Sequence, residues 1–432
     1  MRLERVVAVV AFGLAIAVSQ PVFSQGLGRV QKPEDVGFSS ARLTRVTERM
    51  KLGVTKGEIP GAVVLVARNG KIAYLESFGL RDPDSGAAMK SDAIFRIASM
   101  TKPFTSLAIM MLAEEGKLSI VEPASKYLPE FKDLKVGGVK PGADGKSEVQ
   151  LEPLRSPMTL QDLLRHTSGL TYGLAGSNPL KQGYVDAKVS DPNDTNAELV
   201  TKLSKLPLLF QPGTTWEYSV STDVLGRIVE VVSGLPLDQF VAERIVKPLK
   251  LADTGFSVPT SKANRGAKPQ KEGPKNELPK IPPVDADQKF KSGGGGMVST
   301  AIDYARFCQF WLNGGELDAV RLVSRKTVEL MTTDHLPPGT QMGADMVRFE
   351  ALLPSPSMGQ GFGLGFAVRN DVGRSPLQGS PGDYYWGGAH GTYFWIDPKE
   401  KMFAVLMMQS PLSRLPYRYL MRALVYQALV GK

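Results

Sequence analysis

Ser99-Met100-Thr101-Lys102 is the only Ser-x-x-Lys tetrapeptide in the chain. At a helix start, residues three apart share a face, so the Lys102 amine can approach the Ser99 hydroxyl. A serine hydroxyl is a poor nucleophile until a base takes its proton, and a desolvated lysine among polar groups can assist. Taken alone the tetrapeptide is weak, because a capped helix followed by a solvent lysine has the same spelling. Other chemistries have less to work with. The single cysteine, Cys308, excludes an intrachain disulfide and any multi-cysteine metal site. His166, His335 and His390 lie too far apart in sequence for a helix-borne ligand pair. No Gly-x-Ser-x-Gly occurs, which argues against an ordinary α/β-hydrolase nucleophile.

The helix after Ser99 runs through Leu107, Ala108, Met110, Met111 and Leu112, an apolar set that predicts a buried element over Thr105–Glu115 holding its first turn rigidly. Ser39 or Ser40 caps an amphipathic helix toward Lys56, with Leu43, Val46 and Met50 at helical spacing. Ala62–Ala67 and Lys71–Leu75 read as strands joined through Asn69-Gly70, a strong hairpin signal. Further strands are expected at Gly365–Arg369, Tyr384–Gly387, Thr392–Ile396 and Met402–Met407, then a helix over Leu412–Leu429. Between the two ends the expected helices are Leu160–His166, Asn196–Leu206, Thr222–Ser233, Leu237–Ile245, Ala301–Leu312 and Ser324–Met331. The pattern predicts an α+β fold: one antiparallel sheet from both chain ends, flanked by helices, with a mainly helical lobe inserted and a site at the junction. The expected division is 25–98 with 360–432 for the sheet lobe, and 99–359 for the helical lobe. Two stretches, 135–157 and 257–296, are rich in Gly, Pro and charge and read as loops. Loops of that length serve either as lids beside a site or as plain linkers, and both remain open.

Context sharpens the Ser-x-x-Lys signal. Phe95-Arg96-Ile97-Ala98 leads into Ser99, and Leu160–Leu170 reads Leu-Gln-Asp-Leu-Leu-Arg-His-Thr-Ser-Gly-Leu. Gln211-Pro212-Gly213 precedes Trp216-Glu217-Tyr218-Ser219-Val220, and Trp386-Gly387-Gly388-Ala389-His390-Gly391 stands just before a strand. In that order these segments resemble the serine hydrolases of the class C β-lactamase, D-alanyl-D-alanine peptidase and family VIII carboxylesterase group, over most of the chain. The resemblance implies a β-lactamase/penicillin-binding-protein-like fold, with Ser99 as nucleophile, Lys102 as its helper and Tyr218 as general base. A phenol normally holds its proton to about pH 10, and nearby cations stabilise the phenolate. The resemblance also implies an oxyanion site at the backbone N–H groups of Ser99 and Ala389, with Trp386, Gly387, Gly388 and His390 as substrate contacts. His166 reads instead as a structural residue.

Where lactamases and peptidases carry Lys-Thr-Gly and an asparagine after the tyrosine, this chain has Trp386-Gly387-Gly388 and Val220. Both exchanges replace polar recognition by apolar contact. The expectation is a serine carboxylesterase acting on uncharged short-to-medium acyl esters through a Ser99 acyl-enzyme, with weak β-lactam hydrolysis as a side activity. The alternatives are a class C-type β-lactamase or D-alanyl-D-alanine peptidase, or a non-catalytic ligand-binding protein of the same fold. None of these needs a metal or organic cofactor.

The whole-chain figures fit this class. With 432 residues, 42% hydrophobic and 22% charged, the composition is that of a globular protein rather than a disordered or multi-span one. The net charge of +9 comes without a basic block, so no nucleic-acid partner is expected. Residues 1–24 read as a secretory signal: Arg2 and Arg5 flank Glu4, and the apolar run Val6–Val18 is short for a bilayer. Cleavage near Ser24 would give a periplasmic or secreted protein, with no stable membrane anchor.

Overall fold

The computed structural model describes residues 27–141, 147–173, 178–344 and 355–431; the expected signal segment lies outside them. Nine strands form one sheet. Its centre is a seam between the two chain ends, where Gly61–Arg68 runs antiparallel to Met402–Met408 with Ala62 opposite Met408 and Arg68 opposite Met402. Both strands are buried along their whole length, as their near-continuous apolar runs require. On one side Gly61–Arg68 continues into the hairpin partner Lys71–Asp82, and the turn places Asn69 and Gly70 at positive φ (53° and 73°). An Asn-Gly turn tolerates that pair of left-handed residues, which matches the strand twist. On the other side follow Tyr393–Asp397, Tyr384–Gly387, Ala367–Arg369 and Gln360–Phe362, all antiparallel. Two edge strands, Gly28–Arg29 and Ala87–Ala88, pair with Lys71–Asp82.

The ten α-helices of the described residues are α1 (Ser40–Thr55), α2 (Lys102–Glu114), α3 (Leu160–Leu164), α4 (Pro179–Asp186), α5 (Asn196–Leu203), α6 (Ser221–Ser233), α7 (Leu237–Val241), α8 (Ala301–Leu312), α9 (Arg325–Met331) and α10 (Arg414–Tyr426). In α1, Ser39 caps by accepting from the Arg42 N–H, and Leu43, Val46 and Met50 are its buried stripe. Helix α7 gives way to a wider turn over Ala242–Val246. Helix α2 is buried from Lys102 to Leu112. Helix α8 joins it to the sheet: it packs on the two seam strands, and its Phe307 stacks on Phe104 of α2 with ring centroids 3.8 Å apart. The rigid first turn of α2 therefore rests on the largest apolar mass of the molecule.

One of the two expected loops is not a loop. Within 135–157, Lys135–Pro141 and Ser147–Pro153 pair as an antiparallel hairpin. Val139 faces Val149 across it, and Val136 is buried, so the β-branched residues outweigh the glycines and prolines that disguised the strands. The stretch 257–296 keeps its irregular course, with one short 3-10 turn at Thr260–Arg265. Helix α4 was not anticipated; Asn178 caps it and Pro179 opens it. Among the described residues, no helix is long and apolar enough to cross a membrane.

Candidate active site

Strand Phe95–Arg96 pairs with Val298–Ser299, and the chain then turns sharply into α2. Ala98 takes φ of 45°, a left-handed conformation that costs a residue with a β-carbon about 1–2 kcal/mol. Its surroundings impose it. Ile97 N–H donates to the Met297 carbonyl at 3.1 Å, Thr392 Oγ1 donates to the Ile97 carbonyl at 3.1 Å, and Gln409 Nε2 donates to the Arg96 carbonyl at 3.1 Å. The tight turn Ala98–Thr101 presents Ser99 half-buried, while Lys102 one turn on is fully buried. Pro103 falls at the second position of α2, where its missing N–H is not needed.

Lys102 Nζ lies 3.4 Å from Ser99 Oγ, so the spacing in sequence becomes a contact in space. The ammonium also donates to the Gly294 carbonyl at 2.8 Å and to the Tyr172 hydroxyl at 2.9 Å. It sits 4.5 Å from the centroid of the Tyr218 ring, within cation–π range. Three expected residues thus meet. A second tyrosine meets them too.

Tyr172 and Asp223 were not among the sequence candidates. Tyr172 follows the His-Thr-Ser-Gly-Leu segment and Asp223 lies in the first turn of α6, and neither carries a motif of its own. Asp223 is buried and accepts from Ser292 Oγ and from the Gly294 N–H at 3.0 Å. Burial raises its carboxyl above the usual carboxylate range, opposed by the nearby Lys102 charge. Burial and the Asp223 charge hold the Tyr172 hydroxyl well above the usual phenol range. Gly294 threads between them: a β-carbon there would stand 2.6 Å from Asp223 Oδ2 and 2.9 Å from the Tyr172 hydroxyl. The far end of the 257–296 stretch therefore forms a wall of this site.

Tyr218 is held from the other side. Trp386 Nε1 donates to its hydroxyl at 3.2 Å, and the His166 ring tilts against its ring at 4.9 Å. Trp386 is itself buried, so its indole acts here as a donor to the phenol, not only as the apolar substrate contact expected from sequence. Val220 is fully buried as well, and the exchange there adds no exposed surface. Gly388 must be glycine, because a β-carbon would stand 2.3 Å from the Ile97 carbonyl oxygen and 2.3 Å from Thr392 Oγ1. That close approach sets the third motif directly against the turn that carries Ser99. Ala389 beyond it is exposed, and Arg418 from α10 braces the motif by donating to the Gly388 carbonyl at 2.6 Å. Gly387 lies against the same guanidinium.

His390 is half-buried, and burial, with Arg96 and Arg414 nearby, lowers its imidazole to about 4. His166 is enclosed and neutral, its Nδ1 3.2 Å from Ser219 Oγ, which continues to Ser221 Oγ and Ser168 Oγ at 2.7 Å steps. It supports Tyr218 and does not reach Ser99. His335 bonds Gln161 and the Leu330 carbonyl. Cys308 is a buried thiol on α8.

Comparison with known proteins shows the family and the fold. The sequence matches the Beta-lactamase family over residues 44–425. It is 36% identical over 360 residues to an uncharacterized protein of Mycobacterium tuberculosis, covering 82% of this chain and 86% of that one. It is 31% identical over 388 residues to esterase EstB of Burkholderia gladioli, covering 84% and 88%. The solved structure of EstCE1, described as a hydrolase with promiscuous acyltransferase activity, superposes with a TM-score of 0.72 at 26% identity, covering 90% of this chain and 99% of that one.

Proposed function

We propose that this chain, which belongs to the beta-lactamase family, is a serine carboxylesterase that cleaves uncharged short-to-medium acyl esters through a Ser99 acyl-enzyme. The observation that carries the reading is the buried Lys102 ammonium, which touches the Ser99 hydroxyl and lies under the ring of Tyr218. Tyr172 is a poor base, because burial and Asp223 hold its proton in place. Tyr218 is the remaining phenol, and it stands against the Lys102 ammonium with the Trp386 N–H donating to its hydroxyl.

In the acylation step Tyr218 accepts the Ser99 proton as Oγ attacks the ester carbonyl carbon. The oxyanion is received by the backbone N–H groups of Ser99 and Ala389, and collapse expels the alkoxide, which takes the proton back from Tyr218. A water molecule then repeats the sequence on the acyl-enzyme, releasing the acid and free Ser99. Gly387 and Gly388 let the Arg418 guanidinium and the Ser99 turn close on the third motif, while Trp386 and His390 flank the acyl group. The EstB relative and the EstCE1 neighbour support an ester substrate, as does an indole where lactamases carry a lysine. Residues 1–24 complete the reading as an export signal, which N-terminal sequencing of the secreted or periplasmic product checks.

Ser99→Ala tests the assignment: it is expected to abolish hydrolysis of p-nitrophenyl butyrate while leaving the thermal midpoint unchanged. Retained turnover overturns it. Comparison of kcat/KM for that ester, nitrocefin and a D-alanyl-D-alanine peptide fixes the substrate class, and a β-lactam or peptide rate far above the ester rate reverses the ranking. If a serine-reactive phosphonate labels no residue, the protein is a binding protein of the same fold.

A further inference from the structure

Arg96 stands three residues before Ser99 and is 4% exposed. Its guanidinium meets no carboxylate at hydrogen-bond distance among the described residues. It donates instead to five backbone carbonyls. Nη1 reaches Phe256 at 3.0 Å and Gly296 at 3.1 Å; Nε reaches Pro282 at 3.4 Å and Pro283 at 3.2 Å; Nη2 reaches Ala286 at 2.9 Å and Pro283 again. These acceptors lie just before the irregular 257–296 stretch, within it and at its far end. Pro282 and Pro283 have no N–H to pair with a neighbouring strand, so the stretch has little backbone ladder of its own there. A planar fork with five N–H donors suits convergent carbonyls; an ammonium offers three in a tetrahedral arrangement.

The stretch so gathered has a task at its far end. The Gly294 carbonyl accepts from Lys102 Nζ, and the Gly293 carbonyl accepts from Thr105 Oγ1 at 2.7 Å. Gly296, which Arg96 grips, is two residues from Gly294. We propose that Arg96 is a positioning residue for catalysis: by clasping residues 256–296 it fixes the carbonyl that orients Lys102, and so holds the ammonium against Ser99. This rests on the esterase reading only for its kinetic consequence. The clasp itself is a statement about the loop.

The test uses Arg96→Gln and Arg96→Lys in the full chain, with two readouts. Trypsin digestion under native conditions follows cleavage after Lys271, Lys275 and Lys280, which are exposed in the gathered stretch. Kinetics follow kcat and KM for p-nitrophenyl butyrate, and in parallel the rate of Ser99 labelling by a fluorophosphonate. Arg96→Gln is expected to raise the cleavage rate by about tenfold or more. It is expected to lower kcat and the labelling rate by about 10- to 100-fold, with KM changed by less than about threefold. Arg96→Lys is expected to fall between wild type and Arg96→Gln on both readouts, and decides the matter if Arg96→Gln does not fold. Wild-type protease resistance in the folded variants overturns the clasp. A loosened stretch with wild-type kcat and labelling overturns the positioning role. If wild type turns over no ester, the proposed function fails on its own, and the labelling and digestion arms still decide the role of Arg96.

Discussion

Two clusters of buried charge in this molecule solve the same electrostatic problem in opposite ways. In the first, Asp383 accepts from Arg369 Nε at 2.8 Å and from Arg422 Nη1 and Nη2 at 2.9 and 3.1 Å, all three side chains being fully enclosed. Arg422 Nε donates on to the Tyr393 hydroxyl at 2.9 Å, and the guanidinium lies over the Tyr385 and Trp395 rings. Carboxylate and guanidinium meet directly. In the second, Lys102 and Asp223 are equally buried, yet Gly294 and Tyr172 stand between them, and the ammonium spends its donors on a carbonyl, a phenol and the Ser99 hydroxyl. Direct pairing fixes a fold but leaves the charge with nothing further to act upon. A lysine oriented by dipoles keeps its field available to the neighbouring serine and to Tyr218.

The sharpest way to break this contrast is to remove one cation from each cluster. Lys102→Met is expected to lower kcat/KM by ~10³-fold with a shift of only a few degrees in thermal midpoint. Arg422→Met is expected to destabilise by about 3–5 kcal/mol, because Asp383 loses its bidentate partner, while the remaining folded protein keeps its kcat. Denaturant melts and active-site titration of the same samples check both, and a reversed pattern removes the distinction. Next in size are the two phenols. Tyr218→Phe is expected to cost about 10²–10⁴-fold in kcat. Tyr172→Phe, which loses the acceptor for Lys102 and the hydroxyl partner of Asp223, is expected to cost about tenfold; equal losses would make Tyr172 the proton carrier.

Trp386→Phe keeps an aromatic ring, though a smaller one, and deletes the N–H. It is expected to cost about tenfold in kcat/KM, the worth of one hydrogen bond. The smallest effect concerns His390. Its folded value is depressed to about 4, below the ordinary imidazole value of 6.5, so the unfolded chain binds the proton first on acidification. Its contribution to stability is present above pH 6.5 and declines toward pH 4. His390→Gln should flatten that part of the stability profile, measured by urea melts across the range.

What the sequence reveals and conceals follows the distance over which residues act. Ser99 and Lys102 are three apart, and the Asn69-Gly70 turn and the Ser39 cap are equally local, so their geometry is written in adjacent letters. Tyr172, Asp223 and Gly294 come from three separate segments, and no spacing links them. Helix boundaries shifted where tertiary contacts decide them: α5 stops at Leu203 and α10 is confined to Arg414–Tyr426. Trp386 was legible as a departure from the Lys-Thr-Gly pattern, but its role as donor to Tyr218 needed the folded distance.

The seam at the middle of the sheet bears on how the chain reaches this state. Residue 68 pairs with residue 402, and the strand carrying Trp386 reaches that seam through Tyr393–Asp397 and Met402–Met408. Closing such a span is slow, because the entropy of a very long loop is lost before the pairing rewards it. During synthesis the Ser99 turn therefore emerges long before the strands that brace it. Until the segment beyond Tyr384–Gly387 has left the ribosome, the proposed nucleophile lacks the Ala389 N–H that would complete its oxyanion site.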